Sequence, residues 1–80
     1  MKSQFARAVA MELDAARSAH GPVSSVHEGY ARILEELDEF WEEVRKKREN
    51  RDGGAMWHEL VQVAAMAQRT AEDLLGEFAD

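Results

Sequence analysis

Apolar residues recur at spacings of three and four along three stretches of the chain, the signature of amphipathic helices. Phe5, Val9, Leu13 and Ala16 form a thin stripe over residues 3–19, and Ser3 is placed to cap its start. His20-Gly21-Pro22-Val23-Ser24 ends this helix: Gly21 suits a left-handed terminal position, and Pro22 cannot continue a helix. Ser25-Val26-His27-Glu28 reads as a capping box that opens a second helix, expected over 26–49. Its stripe runs through Tyr30, Ile33, Leu34, Leu37, Phe40, Trp41 and Val44, taken as one face. Arg45-Lys46-Lys47-Arg48 would fill the last turns, where positive charge suits the helix dipole. Asn50-Arg51-Asp52-Gly53-Gly54 is a turn by composition. A third helix is expected over 55–78, on a broad face from Met56 and Trp57 to Leu75 and Phe78. From Leu60 to Ala67 it is apolar except for Gln62, which suits a central position in a bundle.

The pattern predicts an all-α fold of one domain, residues 1–80, in which a short turn makes the second and third helices an antiparallel hairpin. Eighty residues bury a modest core, and the chain has no cysteine to staple it. Self-association into an oligomeric helical bundle, a homodimer or tetramer, is therefore expected. The formal net charge of −6 argues against a nucleic-acid partner. The first twenty residues contain no long apolar run, so neither a signal peptide nor a membrane span is expected there, and a cytoplasmic location follows by default.

Charge changes the picture most at Glu35-Glu36-Leu37-Asp38-Glu39-Phe40-Trp41-Glu42-Glu43, where acids fill six of nine positions. Most acidic runs are solvated faces. Here Glu36 borders the apolar stripe, and Glu39 and Glu43 lie further round on the same side. Carboxylates drawn toward packing repel one another, and a divalent cation is the strongest offset. On the third helix Glu59 and Gln62 repeat the spacing of Glu36 and Glu39. Two antiparallel helices could bring these four oxygen-bearing side chains around one point, and oxygen ligands suit Mg²⁺, with Mn²⁺ as a substitute. Plain alternatives exist for each residue: a first-turn carboxylate at the helix dipole for Glu59, and a satisfied core amide for Gln62. His20, His27 and His58 show no paired spacing that would suggest zinc.

The run Glu35-Glu36-Leu37-Asp38-Glu39 resembles the Glu-Glu-x-x-Glu element of the MazG-like, all-α nucleoside triphosphate pyrophosphohydrolases. Glu59-Leu60-Val61-Gln62 falls where that family has Glu-x-x-Asp, and the likeness covers roughly Val26 to Leu75. The resemblance implies Mg²⁺ ligands at Glu36, Glu39, Glu59 and position 62, and hydrolysis of a nucleoside triphosphate to the monophosphate and pyrophosphate. Glu35 or Glu39 would orient or deprotonate the attacking water. The family also holds the base with aromatic side chains near the first element, which points to Trp41, with Tyr30 and His27 behind it. Core or subunit packing is the favoured account of both aromatics, since they lie on the apolar stripe, and a capping or solvent role is favoured for His27 in the first helical turn. Arg45, in the basic cluster, would contact phosphate. Gln62 departs from the family's aspartate: its amide oxygen can coordinate but carries no charge and cannot act as a base. The alternative is a non-catalytic helical oligomer or binding module that keeps the fold with a degraded metal site.

Overall fold

The computed structural model describes residues 2–80. Three α-helices carry the chain: α1 Gln4–Ala19, α2 Val26–Val44 and α3 Gly53–Leu74. Single 3-10 turns at Arg48–Asn50 and Gly76–Phe78 follow α2 and α3, and no strand occurs among the described residues. None of these helices is long and apolar enough to cross a membrane.

The caps fall where short polar side chains can accept free helical N–H groups. Ser3 Oγ accepts from Ala6 N at 3.1 Å, Ser25 Oγ from Glu28 N at 3.0 Å, and Asp52 Oδ1 from Ala55 N at 3.1 Å. Glu28 closes its capping box differently from expectation, taking the hydroxyl of Ser24. Because Asp52 is the cap, α3 begins at Gly53 rather than at residue 55. It also stops at Leu74, and Gly76 opens a separate 3-10 turn over the segment expected to stay helical to Phe78.

The second helix is shorter than its pattern implied, ending at Val44 instead of continuing to residue 48 or 49. Four successive cations would stack like charges at i, i+3 in one further turn. Instead, Glu43 accepts from the backbone N–H of Asp52 at 2.7 Å and from Lys46 Nζ at 3.0 Å, which folds the chain back toward α3. Lys46 and Asp52 both hold the Glu43 carboxyl below its ordinary range. The basic cluster therefore lies in the connection, not in the last helical turn. The end of α1 also differs from expectation: no described residue has positive φ, and the helix closes on His20 in an extended conformation.

The pairings set the topology. Gly29 meets Thr70, Glu36 and Glu39 meet Glu59, and Glu43 meets Asp52. Partner numbers fall as those of α2 rise, so α2 and α3 are antiparallel. Phe5 meets Trp57, with ring centroids 5.2 Å apart edge to face, and Arg17 meets Glu72 and Asp73. These numbers rise together, so α1 runs parallel to α3. The central helix is α3, which packs on both neighbours, while α1 and α2 make at most slight contact with each other.

The core is correspondingly small. Val9, Val61 and Ala65 are buried together at the α1–α3 seam, with Leu13, Val23 and Met66 buried nearby. The loop between α1 and α2 is pinned to the end of α3: Asp73 accepts from Val23 N at 3.0 Å, and Arg69 donates to the carbonyl of Gly21 at 3.0 Å. Arg17, and then the Val23 amide, hold the Asp73 carboxyl below its usual range.

The stripe of α2 expected to form one face divides into two. Gly29, Ile33, Glu36 and Phe40 are buried or half-buried on the α3 side. Tyr30, Leu34, Leu37 and Trp41 repeat the same spacing one residue on, about 100° further round, and are exposed. Gly29 sets this orientation, because a Cβ there would lie 2.5 Å from Thr70 Cγ2 and 2.6 Å from its Oγ1. Thr70 cannot easily swing away, since its hydroxyl donates to the carbonyl of Met66 at 2.8 Å. Gly29→Ala is expected to destabilise the fold by about 1–3 kcal/mol through this overlap. Urea unfolding measures the loss, and adding Thr70→Ala should recover part of it.

Candidate metal centre

Where α2 crosses the first turns of α3, Glu36 and Glu39 approach Glu59. One carboxylate oxygen from each lies within 4.8 Å of the other two. The i, i+3 spacing puts the two α2 glutamates on one side, and the antiparallel register brings Glu59 opposite them. Glu36 and Glu59 are half-buried, whereas Glu39 is exposed.

Three acids at this separation cannot all ionise without cost. Loss of solvent pushes the Glu36 carboxyl up to about 7, helped by a hydrogen bond to Glu59 and by the charges of Glu39 and Glu59. Glu39 is also raised, first by its hydrogen bond to Glu59 and then by the charge of Glu59. Without a cation, a proton held on Glu36 supplies a donor to the cluster. Glu59 Oε2 is buried and has no hydrogen-bond partner in the fold.

These features fit a hard divalent cation. Such ions take carboxylate oxygens, and an octahedral ion with ligands at about 2.0–2.1 Å spans roughly 4 Å between opposite oxygens. The trio needs only small side-chain adjustments to reach that span, and an ion would serve the unpartnered oxygen of Glu59. Three carboxylates leave coordination positions for water or for oxygens of a substrate.

The other candidate residues are distributed around this point. Gln62 is half-buried one turn after Glu59, and its amide nitrogen lies 3.5 Å from His58 Nε2. With Glu35 and Glu36 it also lines a cavity of about 210 Å³ between the three helices. Glu35 is exposed and lies outside the trio. Tyr30 and Trp41 are on the exposed stripe of α2, 67% and 57% accessible, so neither is a core residue. Arg45 caps the end of α2, with its guanidinium 3.4 Å from Glu42. Glu43, a possible source of extra charge for a metal, is committed to Lys46 and to the start of α3.

Sequence reasoning passed over Arg69, a buried charged residue at 6% exposure. The signal was present in the pattern. Val61, Ala65 and Met66 define the buried face of α3, and Arg69 continues it at i+4 and i+3 from the last two.

The raised carboxyls give a defined pH response. The folded Glu36 pKa of about 7 exceeds the ordinary 4.5, so between these values the native state binds more protons than the unfolded chain. Stability from this group is full below pH 4.5 and is lost as pH rises through 7. Asp73, Glu28 and Glu43 have lowered values, so their contributions fall only on acidification below the ordinary carboxylate range. Metal-free protein should therefore melt at progressively lower temperature between about pH 5 and pH 7.5. Glu36→Gln should flatten that slope in calorimetric scans.

Compared with protein-family models, with curated proteins and with solved structures, the chain matches none of them.

Proposed function

We propose that this chain is a Mg²⁺-dependent nucleoside triphosphate pyrophosphohydrolase, with Mn²⁺ able to replace Mg²⁺, and that it works as a homo-oligomer. The observation that carries this reading is the convergence of Glu36, Glu39 and Glu59, with a buried unpartnered oxygen on Glu59. The order and spacing of the acids, which resemble the MazG-like elements, supply the reaction class.

When bound, the ion neutralises charge that builds on the α-phosphate as it is attacked. The chain's own groups do the rest. Glu36, Glu39 and Glu59 would hold the ion. Glu35, beside the trio but not in it, accepts the proton of the attacking water. The water oxygen forms the new bond to the α-phosphorus, and the bond from that phosphorus to the α,β-bridging oxygen breaks. Pyrophosphate leaves with the electron pair, and the nucleoside monophosphate remains. Gln62 contributes at most a neutral amide oxygen, which weakens the charge available to the ion relative to an aspartate. The exposed aromatics Tyr30 and Trp41 offer flat surfaces for a base on the same helix as Glu39. Arg45 is a weaker phosphate contact than the sequence suggested, because Glu42 already engages it.

The second reading, a non-catalytic oligomer, draws on a different observation. Tyr30, Leu34, Leu37 and Trp41 form an exposed apolar seam at the four-three-four spacing by which two helices pack. Both readings therefore call for a second copy on α2, and only the first calls for turnover.

Pyrophosphate release is measured with each nucleoside triphosphate in millimolar Mg²⁺. Turnover of at least one is expected, and Glu36→Gln or Glu59→Gln should lower it roughly 100-fold or more without loss of helicity by circular dichroism. Gln62→Asp should keep or raise the rate. Mg²⁺ at a hundred times its Kd should stabilise the wild type by about 2.7 kcal/mol. No turnover and no metal-dependent shift would leave the non-catalytic oligomer. Leu37→Glu should convert the oligomer to monomer in sedimentation measurements.

A further inference from the structure

No further inference is drawn: the strongest candidate, the apolar face that Tyr30, Leu34, Leu37 and Trp41 of α2 present on the side turned away from the carboxylate trio, is the self-association surface already proposed, and nothing in the structure shows what else covers it.

Discussion

Three carboxylates held against one another between α2 and α3 are the costly feature of this molecule. Their repulsion is set by backbone geometry, because the antiparallel register places Glu59 opposite Glu36 and Glu39. The helices can approach there because Gly29 admits Thr70 two turns away. A small core of Val9, Val61, Ala65 and their neighbours must carry that cost. A proton on Glu36 offsets part of it in the metal-free state, and a divalent cation would offset more. In the proposed reading, the same crowding that weakens the bare fold would favour a cation.

The rest of the architecture distributes stability away from this point. The loop between α1 and α2 is tied to the end of α3 by Asp73, Arg17 and Arg69. The connection between α2 and α3 is tied by Glu43 and Asp52. Both ends of the hairpin are therefore held by polar contacts, while its middle carries the acids. The first helix adds apolar burial on one side of α3 only. With a narrow stripe and many alanines, it comes close to α3 without reaching α2. The space left over is the cavity at Arg69.

The exposed seam of α2 follows from the same economy. The described residues supply one central helix and two flanking ones, and none of them covers the second apolar line of α2. Leu37 and Trp41 each lie two residues from Glu39, about 200° round the helix, so the seam occupies the face of α2 turned away from the carboxylate trio.

Local chemistry determined much of this protein. Ser3, Ser25 and Asp52 are short acceptors that cap helices wherever they fall, and the three helices follow from spacings that each segment carries by itself. The grouping of Glu36, Glu39 and Glu59 was legible for the same reason, since i, i+3 spacing and a short link constrain where side chains can meet. A helical wheel has no fixed zero, however. The packing of α2 on α3, with Gly29 close against Thr70, turns Ile33 and Phe40 inward and leaves Tyr30, Leu34, Leu37 and Trp41 outside. The early end of α2 depended on a carboxylate reaching an amide nine residues ahead. That Arg69 forms no ion pair among the described residues depended on which acids other residues had already engaged. Those outcomes are relations between segments, and tertiary packing decides them because no segment contains both partners.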